Sequence, residues 1–511
     1  MHTYLLAHDL GTSGDKAVLF DTETLSIAGD VVKGYTTYYP QEGWVEHVPE
    51  DWWSAVCDSS RLLIEQSGIK PEQIAAVSFS AIMNSCLPVD TQGVPLRKAM
   101  IWCDQRGISS IPKLYAFASE NTFYEKTGHR LNGTYAVAKM LWFRDHEKVL
   151  FDKTYMFLQA KDYIVHKLTG IFASDYTDAS HLGILDQKNK CYWKELLSYL
   201  EFPLAKFPPL YPSTSIIGYI TSEAAKETGL REGTPVVIGG GDGCCATAGA
   251  GVYRPGLGYN ILGTSSWNGT ISDSMLTDPE KVTFSFIYLD GKHYMALGTM
   301  QSAGHSLEWL LRTVYPDFET NKKEIFDRVN TEIESSLTKK DEGNKSNLIY
   351  LPYLMGERSP WWNSNARGCF IGLNASTTSF DMLRSCMEGV AFNLKVILDA
   401  LEVSAGPLEM RIIGGGARNN AWLKIIASVW DRTISVPKYL VEATSLGAIL
   451  CAGIGVGIFP DFSVIEKINP SVKYYEPDRV LAKKYKQLYP IFLNGYHQLI
   501  EVFEQLQDVK G

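Results

Sequence analysis

Apolar and polar positions alternate along this chain in two layouts that recur half a chain apart. The first apolar run, Tyr4-Leu5-Leu6-Ala7, breaks into D-L-G-T-S-G and resumes at Lys16-Ala17-Val18-Leu19-Phe20-Asp21. Two such runs around a glycine-bearing polar bend predict a β-hairpin. Past the midpoint, Tyr259-Asn260-Ile261-Leu262 enters G-T-S-S-W and resumes at Asn268-Gly269-Thr270-Ile271-Ser272. A repeat of so long a period predicts duplication of a whole lobe, not a solenoid. Between the hairpins, Glu50–Gln66 reads as an amphipathic helix closed by Gly68, and Ile74–Ser80 as an alternating strand.

Pro235-Val236-Val237-Ile238 runs into Gly239-Gly240-Gly241-Asp242, and Arg411-Ile412-Ile413 into Gly414-Gly415-Gly416. Both read as buried strands whose terminal glycines let backbone approach a ligand, the second followed by a helix from about Ala421 to Trp430. Glu332–Asn347 reads as a solvated connection, and Pro477–Gln507 as a helix. Strands alternate with helices, so the fold class is α/β. The small-residue run before Pro255 marks the lobe boundary, giving an N-terminal lobe over 1–250 and a C-terminal lobe over 251–511.

Composition narrows the function. A chain of 511 residues exceeds one ordinary core, which agrees with the duplication. Its net charge of -9 disfavours a nucleic-acid partner, which calls for a basic stripe. No apolar run reaches membrane-spanning length and the start lacks a signal-peptide pattern, so the expected location is cytoplasmic, with no membrane partner. The nine cysteines show no C-x-x-C pair and read as reduced core thiols. The face of the last helix fits its own lobe or a second subunit equally, so a homodimer is one possibility.

The candidate chemistry gathers at the strand ends. A Gly-Thr-Ser turn presents backbone N–H groups and hydroxyls to a phosphate, or is ordinary hairpin chemistry; Gly11-Thr12-Ser13 and Gly263-Thr264-Ser265 are two such turns. Asp9, just before the first, could hold Mg²⁺ directly or through water, or cap its own turn. Lys16 points to the phosphates or to solvent, depending on register. Asp242, after three glycines at the end of an apolar strand, reads as a cleft-facing general base or as a helix N-cap. Gly415 offers bare backbone to a nucleobase or ribose, with Asn419 supplying an amide. Gly304, in Ser302-Ala303-Gly304-His305-Ser306-Leu307-Glu308, reads the same way or as a helix start. Trp102, Asp104 and Arg106 read as a sugar platform or as an ion pair beside a packed indole.

With these residues in view, the chain resembles the FGGY carbohydrate kinases over nearly its full length, and within them the xylulose and gluconate kinases. The segments that carry the likeness are DLGTSGDKAVLFD, EGWVEHVPEDWW, IWCDQR, GGGDG, LGTSS, YLPYLMGERSPWWNSNARGCFIGL and GGGARNNAWLKIIASV, in the family's order. One family signature runs through Gly368, Phe370, Gly372, Leu373, Asp381, Met382, Ser385 and Glu388, departing at Cys386; another keeps Lys139, Trp142 and Phe143 but has Ala136 for Pro, Ser or Thr.

The resemblance implies two ribonuclease-H-like, actin-like ATPase lobes around a central cleft, and ATP-dependent phosphorylation of a sugar or polyol with Mg²⁺. It implies Asp242 as base and Asp9 as an acidic residue beside the metal. Thr12, Ser13 and Lys16 would meet the ATP phosphates. Gly263, Thr264, Gly304, Glu308, Gly415 and Asn419 would surround the nucleotide. Met83, Asn84, Trp102, Asp104 and Asp242 would hold the acceptor. Met83-Asn84-Ser85 stands where xylulose kinases carry Met-His-Gly, which leaves D-xylulose the first acceptor by family frequency, with gluconate, ribulose, another ketose, a polyol or glycerol as alternatives. The rival of another class is a non-catalytic actin-like ATPase or sugar sensor.

Overall fold

The computed structural model describes residues 3–338 and 347–509. Each predicted hairpin seeds a sheet. In the first half, β1 (Tyr4–Leu10), β2 (Gly14–Asp21) and β3 (Ser26–Gly34) form an antiparallel meander. Helix α1 (Pro49–Ser67) starts on a proline that needs no partner for its missing N–H, ends at Gly68 with φ 67°, and leads to β4 (Ile74–Ala81), parallel to β1. A long helical insertion follows, including α2 (Ala136–His146), α3 (Ala160–Thr169) and α4 (Tyr176–His181). The chain returns through β5 (Ile216–Tyr219) and β6 (Pro235–Val237) and enters α5 (Asp242–Gly249). The strand order is β5-β6-β4-β1-β2-β3.

The second half repeats the plan. Strands β7 (Leu257–Leu262), β8 (Ser266–Ser272), β9 (Phe284–Ile287) and β10 (Tyr294–Met300) precede α6 (Gly304–Val314) and α7 (Lys322–Thr338). The long α8 (Ser379–Ala405), β11 (Glu409–Ile413), α9 (Asn420–Trp430) and β12 (Ile434–Pro437) follow. The chain then forms α10 (Ala443–Gly455), β13 (Ser471–Tyr475) and α11 (Arg479–Asp508). The order β13-β12-β11-β7-β8-β10-β9 matches the first sheet with one strand added at the β9 edge.

Helices α5 and α10, each following the corresponding strand of its half, pack against each other between the sheets. Their approach needs glycine: a Cβ on Gly249 would lie 1.9 Å from the Ala443 carbonyl oxygen, and one on Gly447 2.2 Å from that of Cys245. Four apolar clusters hold the rest: one under each sheet, one around this helix pair and one inside the helical insertion. Among the described residues no helix is long and apolar enough to cross a membrane. The described cysteines are all free, most of them buried.

One expectation fails here. Glu332–Asn347 is not a connection throughout, because residues up to Thr338 belong to α7, whose Ile325, Val329 and Ile333 repeat every fourth position and are buried. That stripe begins before Glu332, so a reading that starts there misses it. Residues 339–346 lie outside the described residues.

Candidate active site

The first Gly-Thr-Ser turn closes the β1–β2 ladder beyond the Leu10–Asp15 pair, with the Gly11 N–H donating to the Gly14 carbonyl at 2.9 Å. The second closes β7–β8 beyond Leu262–Ser266, with Gly263 donating to the Ser265 carbonyl at 3.0 Å. Ser13 and Thr264 are exposed at the tips. Lys16 lies opposite Asp9 in the ladder, and its ammonium draws on the Asp9 carboxylate.

Asp9 sits at the cleft end of β1, partly exposed. Thr444, at the start of α10, donates its hydroxyl to Asp9 Oδ2 at 2.5 Å, so the other half of the chain holds this carboxylate. Burial raises Asp9 above the ordinary carboxylate range, against hydrogen bonds from Thr444 and Ser80. Asp242 is the first residue of α5. The N-cap position belongs to Gly241, and among the described residues Asp242 Oδ1 accepts the neighbouring Gly243 N–H, at 2.7 Å. Burial, then the nearby Asp9 charge, pushes Asp242 up to about 7. Two carboxylates therefore share the cleft floor, one suited to taking a proton near neutral pH.

Beside the second turn lies a cavity of about 530 Å³ that brings together Gly263, Thr264, Gly304, Glu308, Gly415 and Asn419. The N-terminus of α6 is seated on the turn: the Gly304 N–H donates to the Gly263 carbonyl at 2.9 Å and His305 to that of Thr264 at 3.1 Å. A Cβ on Gly304 would stand 2.6 Å from the Gly263 oxygen, whereas one on Gly415 would meet nothing within 4 Å. Gly415 is thus bare backbone facing space. Asn419 is already engaged, accepting Trp422 N–H at 3.0 Å as the cap of α9 and donating to Asn330 at 2.6 Å. Glu308 pairs with Lys322 at 2.6 Å and Arg312 at 3.0 Å, the Lys322 hydrogen bond holding it below its ordinary range. Phe326, Asn330 and Trp422 also line this cavity. Sequence reading missed them because they come from α7 and α9 faces that no local motif marks.

A second cavity, of about 420 Å³, is lined by residues of both halves, among them Trp102, Thr134, Glu357, Arg358 and Trp362. Trp102 is 43% exposed, and its indole N–H donates to Thr12 Oγ1 at 3.0 Å, linking this cavity to the first turn. Three residues expected at the acceptor are engaged within the fold. Asp104 is fully buried; its Oδ2 accepts the Val45 N–H and an Arg106 N–H, each at 2.7 Å, and that guanidinium lies 3.7 Å over the Trp44 ring. It forms the structural ion pair with Arg106. Met83 is buried against Gly241. Asn84, 2% exposed at φ 63°, donates to the Thr134 carbonyl at 2.9 Å and accepts the Ala136 N–H at 2.7 Å. Its amide satisfies the start of α2, using one N–H and one lone pair of the side chain.

Sequence reading assigned no role to Glu357 and Arg358. Glu357 is buried, accepts the Gln301 and Arg358 N–H groups at 2.7 and 2.8 Å, and is pushed by burial up to about 8. Among the described residues the Arg358 guanidinium forms no ion pair within 4.0 Å, although its charge acts on the neighbouring Glu357 carboxyl. The available signal was the adjacent acid and base in GERSPWW, ahead of two tryptophans.

Comparison with known proteins meets this geometry. The chain matches the N-terminal domain model of the FGGY family of carbohydrate kinases over residues 4–249 and the C-terminal one over 258–456. It is 29% identical to a gluconokinase of Bacillus subtilis, over 99% of this chain and 98% of that one. It is 28% identical to a xylulose kinase of Staphylococcus xylosus, over 96% and 99%. The solved structure of a ligand-bound xylulose kinase from Lactobacillus acidophilus superposes with a TM-score of 0.90 at 27% identity, covering 99% of this chain and 100% of that one. With its two lobes of actin-like ATPase fold, the chain belongs to the FGGY family of carbohydrate kinases.

Proposed function

We propose that Asp242 is the general base of this kinase and that D-xylulose, converted to D-xylulose 5-phosphate, is its first acceptor. As an FGGY carbohydrate kinase the protein is an ATP-dependent sugar phosphotransferase. The observation that carries the reading of the base is the placement of Asp242. It opens α5 on the cleft floor, beside Asp9, with a carboxyl raised to about 7.

In this reading ATP lies along the 530 Å³ cavity, its phosphates reaching between the two turns. The acceptor hydroxyl gives its proton to Asp242 as its oxygen bonds to the γ-phosphorus, the bond to the β-phosphate oxygen breaks and ADP leaves. Mg²⁺ suits an oxygen ligand such as Asp9, bound directly or through water, and supplies neutralisation of phosphate charge. Closing the lobes excludes water, which would otherwise compete for the phosphoryl group.

One observation favours a second reading. Arg358 lines the 420 Å³ cavity without an ion pair among the described residues. The carboxylate of an aldonic acid such as gluconate would supply one, in the two-pronged geometry a guanidinium prefers. A coupled ADP-release assay over ketopentoses, ketohexoses, gluconate, polyols and glycerol separates the two. Saturable D-xylulose turnover far above the others supports the first; gluconate turnover that collapses in Arg358→Gln supports the second. Sugar-dependent ADP formation that persists at wild-type rate in Asp242→Asn sinks the assignment of the base.

A further inference from the structure

Three glycines precede Asp242, and a run of three glycines does not hold its own conformation; each is free to populate backbone states closed to other residues. The strand pairing of Gly240 and Gly241 with β4 fixes one side of the run. The other side is tied at both ends. The Gly239 N–H donates to the Ser213 carbonyl at 2.9 Å. The Gly241 N–H donates to the Thr177 hydroxyl oxygen at 2.8 Å. Gly241 is the residue immediately before Asp242.

The Thr177 hydroxyl has one proton, and its direction is set from behind. Asp175 Oδ2 accepts three donors: the Thr177 hydroxyl at 2.6 Å, the Thr177 N–H at 2.9 Å and the Ser213 hydroxyl at 2.6 Å. With its proton on Asp175, the threonine turns a lone pair toward Gly241. Asp175 is itself fixed by Lys161, whose ammonium lies 2.8 Å from Asp175 Oδ1, 2.8 Å from Asp178 and 2.9 Å from Asp162. All of these residues are buried. A buried cluster of one ammonium and three carboxylates is a costly way to stabilise a fold, since apolar side chains of similar volume do as well or better. What it supplies is direction.

We propose that Thr177, oriented by Asp175 and Lys161, is a positioning residue for phosphoryl transfer, fixing Gly241 and so aiming the Asp242 carboxylate at the acceptor hydroxyl. The inference rests on Asp242 being the base. Displacing a reacting group by about 1 Å costs on the order of 100-fold in rate while leaving substrate binding largely alone.

The test is steady-state kinetics on the acceptor the sugar panel selects, D-xylulose or gluconate, with kcat expressed per nucleotide site counted by ADP titration. Thr177→Val keeps the shape and removes the hydroxyl; its kcat is expected to fall about 10- to 100-fold with both KM values within about twofold. Thr177→Ser is expected to restore kcat to within about threefold of wild type. Ser213→Ala also strips a donor from Asp175 but leaves the Gly241 tie, and is expected to keep kcat within about twofold. If Thr177→Val does not fold, Thr177→Cys, a poorer acceptor, carries the same expectation of a fall in kcat alone. Unchanged kcat in the valine or cysteine variant, failure of serine to rescue, or an equal loss in Ser213→Ala overturns the proposal. An active Asp242→Asn enzyme would instead overturn the assignment of the base, so the two failures are distinguishable.

Discussion

If Asp242 is a base poised by its surroundings, its ionised form destabilises the fold that uses it. Burial and Asp9 raise this carboxyl from an ordinary 3.8 to about 7, so the folded chain holds the proton more tightly than the unfolded chain. A raised folded-state pKa means that stability is lost as pH climbs from about 4 to about 7, with the full cost standing above that window. At ~1.4 kcal/mol per tenfold change, the whole displacement amounts to roughly 4 kcal/mol. Between about pH 5 and about pH 8.5 the part that changes is roughly 2–3 kcal/mol. Asp242→Asn keeps the oxygen that accepts the Gly243 N–H and removes the charge. Its stability relative to wild type should therefore improve by that amount over the same interval, while its turnover falls by orders of magnitude. Thermal or urea unfolding followed by tryptophan fluorescence, without nucleotide, at both pH values measures the difference. In wild type, kcat/KM should fall about tenfold per pH unit below about 7. A variant-minus-wild-type difference that is flat with pH, or that shrinks toward alkaline pH, refutes this account of the site.

Two further substitutions probe the halves of the cleft. Gly304→Val drives a side chain against the Gly263 carbonyl, 2.6 Å from where its Cβ must sit, and should raise the KM for ATP about tenfold or more with much less effect on the acceptor KM. Equal changes in both would argue against a nucleotide role for the second turn. Asn84→Ala strands the Ala136 N–H and the Thr134 carbonyl, and should cost about 1–3 kcal/mol of stability, read as a lowered Tm. A normal Tm with a raised acceptor KM would return Asn84 to the sugar.

The sequence made legible what short spacing determines. Both Gly-Thr-Ser turns, the strand before Asp242 and the helix after Gly416 lie where the polar and apolar runs put them, because each is settled by neighbours within a few residues. Gly263, Gly304 and Gly415 reach one cavity; a Cβ on Gly304 would stand 2.6 Å from the Gly263 carbonyl oxygen, and one on Gly415 would enter open space. What stayed hidden is whether a polar side chain is already spent. Asn84 and Asp104 have the chemistry of sugar ligands, but their partners lie some 50 residues away at Ala136 and Val45, and no local pattern reports that a lone pair is taken. The reverse holds for Thr177 and Arg358. One looks like a helix-start threonine and bonds to a glycine 64 residues on; the other looks like a surface arginine and faces a cavity without an ion pair among the described residues.

The duplicated plan also accounts for the difference between the two turns. Two residues before the glycine stands Asp9 in the first half and Ile261 in the second. Helix α10 of the second half crosses under the first sheet and offers Thr444 to Asp9, while α5 of the first half crosses under the second sheet, where Thr247 donates to the Tyr259 hydroxyl. Each sheet is thus backed by the other half's helix, and only the first receives a carboxylate together with a hydroxyl to hold it. The two halves also meet backbone to backbone at two glycine contacts, Gly249 on Ala443 and Gly447 on Cys245. These contacts lie within three residues of Thr444 on one side and within seven of Asp242 on the other. The acid pair on the cleft floor therefore stands beside the seam between the halves, where a hydroxyl of the second half holds a carboxylate of the first.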